Sequence, residues 1–564
     1  MSMFTTGKVS PLAGKKAPLS LLIDVPKLVT AYYADIPNPA IQEQRVKFGT
    51  SGHRGCSLDK SFNEWHILAI TQAICLYRKK CKIDGPLYLG IDTHALSFPA
   101  YISALEVLAA NGVDVMIAKE NEYTPTPVIS QAILTYNRDR RTHVADGIVI
   151  TPSHNPPRDG GFKYNPPTGG PAPIQVTNWI EKKANALLQN KLKGVKRISY
   201  EKALQMNTTH EHDYLNHYIN DLVNVIDLES IRHANIHIGV DPLGGAGVHY
   251  WEPLAERYGL HLTVINKVVD PTFRFMTVDW DGKIRMNPAS PYAMVNLIQM
   301  KNHFDIAFAC DTDHDRHGIV TAKTGLLPPN HYFAVAIYFL FQNRLHWSKT
   351  KGVGKTIVTT QMLDKLVAKL QCNLYEVPVG FKWYVEGLLN NWLQFCCEES
   401  AGASFSRFDG SVFTTDKDGM ISGLLAAEMT AKLNRDLGDI YSDLEQELGK
   451  TFFAHVNIKA NTPQKDKIKN ILPSDIKETH LVSDSIQHIF TKASGNHEPI
   501  SGIKVTSQNG WFVLRPSGTE DLIEMYAESF QSENHLQHIL DEAQTIVNHV
   551  LSASESMELN HHEK

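Results

Sequence analysis

Residues 146–170 read DGIVITPSHNPPRDGGFKYNPPTGG. The run Asp146–Ile150 is apolar and rich in β-branched residues, and the loop after it is stiffened by repeated prolines and glycines. That is the pattern of a buried strand ending in a constrained loop. Ser153 sits at the tip of the strand, between Pro152 and His154. It is not a nucleophile elbow, because Gly-x-Ser-x-Gly is absent. A proline-rich turn accounts for the stretch taken alone.

The pattern recurs along the chain. NIHIGV (235–240) runs into DPLGGAG, and FDIAFAC (304–310) into DTDHDRHG. KTIVTT (355–360) is followed by the helix-like QMLDKLVAKL. Strands alternating with helical segments predict parallel sheets covered by helices, with chemistry in the loops past the strands' carboxyl ends. The C-terminal part differs. GWFVLRPSGTEDLIEMYAESF (510–530) reads as strand, loop, strand. Leu536, Ile539, Leu540, Ala543, Ile546, Val547 and Val550 then form a stripe at helical spacing. The expected class is α/β with a smaller C-terminal α+β domain. The polar stretch 456–500, with Pro463, Pro473 and SGNHEP, is expected to hold the boundary and surface loops.

At 564 residues the chain is long enough for three or four domains. Its 55 Lys+Arg and 60 Asp+Glu leave a formal charge of −5, which gives no electrostatic reason to expect nucleic acid or an acidic membrane as partner. The seven cysteines are irregularly spaced with no CxxC pair, so neither a zinc site nor a disulfide framework is expected. The N-terminus has no apolar h-region, and the apolar run Tyr332–Phe341 is half of what a bilayer requires. The expectation is a soluble, reduced, cytoplasmic protein with a core helix at 332–341.

DTDHDRHG places Asp311, Asp313 and Asp315 at alternate positions after a buried-looking strand. Three carboxylates so close repel one another, and a hard divalent cation such as Mg²⁺ would compensate them. An EF-hand needs Gly at the sixth loop position and Glu at the twelfth; Arg316 and Ala322 stand there. A solvated acidic loop is the alternative. His314, between two carboxylates, is expected to point away from them, toward solvent. RPSGTE (515–520) joins a guanidinium, hydroxyls and glycine as an anion cradle would, or forms a simple turn. GVGKT (352–356) lacks the first Walker A glycine, since Lys349 stands there, and is expected to be a loop entering a strand. In CEESAGASF (397–405), Glu398 and Ser400 are expected on one side of an extended segment, suited to sugar hydroxyls, although a solvated polar loop accounts for this motif, and for TTDKDG, taken alone. TTDKDG (414–419) adds Lys417, and FGTSGHRG (48–55) adds Arg54 as a phosphate holder or part of a surface turn. Together these motifs fit phosphoryl transfer onto and off a serine.

The motifs FGTSGHRG, DTHALSFPA, TPSHNPPRDGGFKYNPPTGGPA, DPLGGAG, DTDHDRHGIV, EVPVGFKW, EESAGASF, TTDKDG and RPSGTED resemble in combination those of the bacterial α-phosphoglucomutases, in the α-D-phosphohexomutase superfamily. The resemblance runs from about Pro39 to the final helix. It implies three consecutive phosphohexomutase-type α/β domains plus the C-terminal one around a central cleft, divided at 1–205, 206–321, 322–450 and 451–564. It implies exchange between glucose 1-phosphate and glucose 6-phosphate through a phosphoserine, with bound Mg²⁺ and glucose 1,6-bisphosphate as intermediate and activator. By position Ser153 is similar to the phosphoserine, and Asp311, Asp313 and Asp315, with a Ser153 oxygen, to the metal ligands. Arg316 is similar to the arginine beside the metal. Glu398 and Ser400 are similar to the sugar-contacting pair, and Gly380 and Phe381 to the loop that orients the sugar. Arg515, Ser517, Gly518 and Thr519 resemble the loop gripping the substrate's non-reacting phosphate. Arg54, His154, Lys163 and Lys417 resemble groups assigned to charge stabilisation or proton transfer, with no division of roles. The implied partner is a small phosphosugar, in a monomer or homodimer. Mannose or glucosamine phosphates as substrates, or a silent phosphosugar-binding scaffold, are the competing readings. Two departures stand out: Cys396-Cys397 where glycines are usual, and MNPASPYAM (286–294) in place of an Asp-Cys-Ser-Ser-type stretch.

Overall fold

Four main sheets follow one another along the described residues of the computed structural model, which are 9–49, 52–348, 350–518 and 521–552. The first has the order Phe48–Gly49, Gly52–Cys56, Asp159–Asn165, Asp146–Ile150, Leu87–Ile91, Val115–Ala118, Thr209–His212. Its last four strands are parallel. The second has the order Gly325–Leu327, His317–Thr321, Ile306–Cys310, Ile238–Asp241, Leu262–Val264. The third has the order Asn373–Val377, Gly352–Thr356, Leu393–Glu398, Gly402–Phe405. Strands such as Leu87–Ile91 and Ile306–Cys310 are buried along their whole length, as sheets covered on both faces require.

The fourth sheet is antiparallel, in the order Phe452–Lys459, Leu522–Ser529, Gly510–Pro516, Pro499–Thr506, His488–Lys492. The helix Glu533–Ser552 packs on it through Leu536, Ile539, Leu540, Ala543, Ile546 and Val547, with Val550 partly buried. The stripe read from the sequence is therefore the face that makes this unit's core. The stretch 456–500 holds more order than expected: it contains the end of Phe452–Lys459, the helix Thr462–Lys469 and the strand His488–Lys492. The run Tyr332–Phe341 lies in the helix Pro329–Asn343 and is largely buried.

One apolar cluster joins the three α/β units, from Tyr88 and Ile129 through Trp251 and Phe308 to Phe333 and Leu424. The C-terminal unit has its own cluster and meets the third unit where Ile357 and Val358 pack with Trp511, Val513 and Tyr526.

Three sequence expectations change. The sheets are mixed, because each parallel strand that carries a candidate loop is followed by an antiparallel strand and not by a helix. Asp146–Ile150 returns as Asp159–Asn165, Ile306–Cys310 as His317–Thr321, and Leu393–Glu398 as Gly402–Phe405. GVGKT is itself the strand Gly352–Thr356, wholly buried. Ser400 does not continue an extended segment: Glu398 pairs with Gly402, so residues 399–401 form a tight turn.

Candidate active site

The strand Asp146–Ile150 delivers Ser153 to a buried position, and the strand Ile306–Cys310 delivers Asp311 opposite it. Ser153 Oγ donates to Asp311 Oδ2 at 2.8 Å, and Thr312 Oγ1 donates to the Ser153 carbonyl. Ser153 holds a left-handed backbone with φ 57°. Such strain in a non-glycine residue persists only where surrounding contacts fix it, and it concentrates at functional sites.

Asp311, Asp313 and Asp315 are buried, with one carboxylate oxygen from each lying within 4.8 Å of the others. Asp313 Oδ2 accepts from Lys163 Nζ at 2.5 Å and from Thr126 Oγ1 at 2.6 Å. Asp315 Oδ2 meets Lys417 Nζ at 3.0 Å and Lys163 Nζ at 3.4 Å. The other oxygens, Asp313 Oδ1 and Asp315 Oδ1, are buried without a hydrogen-bond partner. Buried carboxylate oxygens with open acceptor capacity beside a third carboxylate fit a hard divalent cation.

Burial, and then the charges of Asp313 and Asp315, hold the Asp311 carboxyl well above the ordinary range. For Asp315 burial works in the same direction, but Lys417, Lys163 and Arg316 overcome it and hold the group low. The two lysines show the converse. Burial disfavours their charge, yet Asp313 and Asp315 keep Lys163 above its usual value, and Asp315 and Asp416 do so for Lys417. His154 Nδ1 stands 3.5 Å from Ser153 Oγ. Burial, with Arg316, Arg54 and Arg285 nearby, pushes its imidazole well below the ordinary value. Arg54 Nη1 donates to Asn155 Oδ1 at 3.0 Å, and the Arg316 N–H donates to Asp311 Oδ1 at 3.0 Å.

The third unit closes this cluster. Glu398 Oε1 accepts from the Gly380 N–H at 3.0 Å, where φ of 132° suits glycine alone. Phe381 is buried, with its ring 5.6 Å from Lys417 Nζ. Lys417 precedes the helix Gly419–Leu433, whose first turn is capped by Asp418. Gly402 is required beside it, since a Cβ there would lie 2.1 Å from Lys417 Cδ.

Four family models match the chain in order. Phosphoglucomutase/phosphomannomutase α/β/α domain I covers residues 45–191, domain II 216–325, domain III 328–448 and the C-terminal domain 458–545. The chain belongs to the phosphoglucomutase/phosphomannomutase family. It is 55% identical over 539 residues to a phosphoglucomutase of Komagataeibacter xylinus, covering 96% of this chain and 97% of that one. Among solved structures it resembles the open form of Paramecium parafusin, a phosphoglucomutase, with a TM-score of 0.71, 20% identity and coverage of 92% and 96%. It also resembles Aspergillus fumigatus N-acetylphosphoglucosamine mutase in complex with GlcNAc-6P and magnesium, with a TM-score of 0.52, 15% identity and coverage of 94% and 99%.

In this family member the C-terminal loop reaches the cluster through charge. Arg515 pairs with Glu524, and both Arg515 and Glu398 act on the half-buried Glu399, whose carboxyl is pushed up to about 7 by desolvation and then by Glu398. Ser517 is buried, its N–H donating to Leu522 O at 2.9 Å, and Gly518 is exposed. Thr519 lies outside the described residues. Ser400 lies in the turn after Glu398 and is half-buried.

His314 corrects its expectation. It points away from the carboxylates, but into the core: it is fully buried, with its ring 6.2 Å from that of Trp251. Gly247 of DPLGGAG makes this possible, because a Cβ there would lie 2.3 Å from His314 Nε2. Cys396 and Cys397 lie inside the strand Leu393–Glu398, buried and unpaired, with burial holding both thiols protonated. They are part of the sheet and not of the sugar loop.

Sequence reading missed Thr126, Thr312 and Glu399. Thr126 opens the helix Thr126–Asn137, and its backbone N–H also donates to Asp313 O at 2.9 Å. The TPTP run at 124–127 carried a helix-start signal. Nothing local pointed to a carboxylate far along the chain.

Proposed function

We propose that the protein interconverts α-D-glucose 1-phosphate and glucose 6-phosphate, with Ser153 as the carrier of the phosphoryl group. The observation that carries this reading is the 2.8 Å contact of Ser153 Oγ with Asp311 Oδ2, made across two units inside a site with three carboxylates. The likeness to the Komagataeibacter phosphoglucomutase supports the choice of substrate.

Asp311, Asp313 and Asp315, with an oxygen on Ser153, would hold Mg²⁺. When bound, the ion offsets negative charge on the phosphoryl oxygens. The chain's own groups do the rest. Lys163, Lys417, Arg54 and Arg316 surround the transferring group with cations kept charged in a buried site, where such groups act most strongly. In one half-cycle the phosphoryl group leaves Ser153 Oγ for a sugar hydroxyl, giving glucose 1,6-bisphosphate. The hydroxyl loses its proton and Oγ regains one. In the other half-cycle the second phosphate returns to Oγ, and both proton transfers reverse. His154 Nδ1, 3.5 Å from Oγ, is the nearest ring nitrogen placed to exchange that proton. Gly380, Phe381, Glu398 and Ser400 face the sugar, and Arg515, Ser517, Gly518 and Thr519 hold its other phosphate.

The test is direct. Purified protein with glucose 1-phosphate, Mg²⁺ and trace bisphosphate is expected to yield glucose 6-phosphate. Product no greater than that of a Ser153→Ala control defeats the proposal.

A further inference from the structure

The motif DTHALSFPA has no part in the site as built so far, yet its first residues lie directly beneath the serine loop. Asp92 follows the strand Leu87–Ile91 and is buried. Its Oδ1 accepts from the His94 N–H at 3.0 Å and from Ser97 Oγ at 2.5 Å. Its Oδ2 accepts from His94 Nδ1 at 2.8 Å and from Thr151 Oγ1 at 2.7 Å. Thr151 Oγ1 in turn accepts the Ser153 N–H at 2.8 Å. On the other flank, His94 Nε2 lies 3.1 Å from Asn155 O. Both ring nitrogens of His94 thus face acceptors, a carboxylate and a carbonyl. Each must donate, so the ring is an imidazolium. Burial opposes that charge, and Asp92 restores it. The ring is also set against Phe273 of the second unit, with centroids 5.1 Å apart.

We propose that Asp92 and His94 are positioning residues that clamp the serine loop from both sides, through Thr151 before Ser153 and Asn155 after it, and so hold the serine in its left-handed conformation with Oγ aimed at Asp311. This rests on Ser153 being the phosphoryl carrier. The clamp touches neither sugar nor phosphate. It acts by fixing where Oγ sits in both half-cycles, and the 3.0 Å bond from Arg54 to Asn155 Oδ1 means that the same clamp sets one of the cations. Glu398 and the Arg515 loop, which bind substrate in the functional reading, are independent of it.

The experiment compares wild type, His94→Gln, Thr151→Val and Thr151→Ser. Gln offers one donor group and cannot bridge two acceptors as the imidazolium does. Val removes the Thr151 hydroxyl at equal shape, and Ser restores it. His94→Gln and Thr151→Val are each expected to lower kcat about 10- to 100-fold, as loss of an orienting partner does. The KM for glucose 1-phosphate should stay within about threefold of wild type, because binding groups are untouched. Thr151→Ser is expected to recover most of the rate. Single-turnover transfer from glucose 1,6-bisphosphate to Ser153, followed by intact mass, should slow in parallel at a temperature where circular dichroism shows every variant folded as wild type. Wild-type transfer rates in both His94→Gln and Thr151→Val overturn the clamp, as does a Thr151→Ser variant no faster than Thr151→Val. A wild type whose Ser153 takes up no phosphoryl group instead ends the functional reading, and the clamp's role with it.

Discussion

Replacing Lys417 with Met separates a charge used in transfer from a charge used to hold the site together. Lys417 Nζ lies 3.0 Å from Asp315 Oδ2 and 3.6 Å from Asp416 Oδ1, and is nearly fully buried. At an effective dielectric constant of about 20, a pair at that shorter distance attracts by roughly 5 kcal/mol. Met keeps the length and apolar stem of the side chain, and removes the charge. Asp315 then retains Lys163 at 3.4 Å and the Arg316 Nε at 3.8 Å, so its carboxylate is not abandoned. What is lost is one positioned cation facing the transferring group, a loss on the order of 100- to 1000-fold in kcat. Divalent-cation affinity should move the other way. One positive charge fewer beside three carboxylates leaves a more negative site, so Mg²⁺ should bind as tightly as in wild type or more so. The assay is the coupled glucose 1-phosphate reaction at saturating substrate, with Mg²⁺ varied, alongside calorimetric titration of the metal. A rate within about threefold of wild type, or a metal affinity that falls together with the rate, refutes the reasoning, because either outcome makes Lys417 a structural group.

Three further outcomes follow from the geometry. Gly402→Ala should drive its Cβ against the buried Lys417 stem, which would lie 2.1 Å away at Cδ, costing about 1–3 kcal/mol and lowering kcat in the same direction as Lys417→Met; unchanged kinetics would mean that the lysine can shift freely. Arg344→Met should destabilise the junction of the second and third units by about 3 kcal/mol in denaturant titrations, since Arg344 binds Glu428 at 2.6 and 2.8 Å and Val225 O at 3.2 Å, with Lys432 at 3.2 Å left to soften the loss. His53 and His66 should each contribute a loss of stability as pH drops from about 6.5 toward 4, opposite in sign to raised carboxyls such as Glu399, because burial holds His53 down to about 3 and His66 to about 4 while the unfolded chain protonates first. Each of these buried neutral rings adds a slope of about 1.4 kcal/mol per pH unit in that window, and a His53→Gln/His66→Gln variant whose urea midpoint changes between pH 7 and 5 just as the wild type's does would contradict it.

The strands that deliver the site were legible because their apolar runs are short, β-branched and ended by loops: Asp146–Ile150 and Ile306–Cys310 lie where the sequence puts them. The residue types in the loops carried the chemistry. The turn back into an antiparallel strand was less visible. DGGFKYN begins with an aspartate and two glycines and HGIVT with a histidine and a glycine, so neither announces a strand at once, although the β-branched end of HGIVT was a usable signal. Ser400 was misplaced for the same reason, since a three-residue turn of Glu, Ser and Ala carries none of the Gly, Asn or Pro that mark most turns. His314 was misjudged because period-two alternation applies to strands, whereas it has φ 59° in a loop and its ring fills the space left by Gly247. The partners supplied by Thr126, Thr312 and Glu399 depend on contacts between units, and no local pattern encodes those.

Those contacts also explain how the loops keep their shape. Each of the three turns from the α/β units contains one non-glycine residue in the left-handed region: Ser153 at φ 57°, His314 at 59° and Ala401 at 71°. Each costs on the order of 1 kcal/mol relative to an ordinary conformation. In every case the carbonyl of that residue accepts a hydrogen bond from a neighbouring unit. Ser153 O accepts from Thr312 Oγ1, His314 O from the Gly419 N–H at 2.9 Å, and Ala401 O from the His317 N–H at 3.1 Å. A turn in an isolated unit would lose that bond and keep the strain, and the balance would favour relaxing to a common conformation. Assembly reverses the balance for all three turns at once. The geometry that brings Ser153 to Asp311 is therefore a property of the packed units, which is why one apolar cluster running through all three is needed at the site as much as in the core.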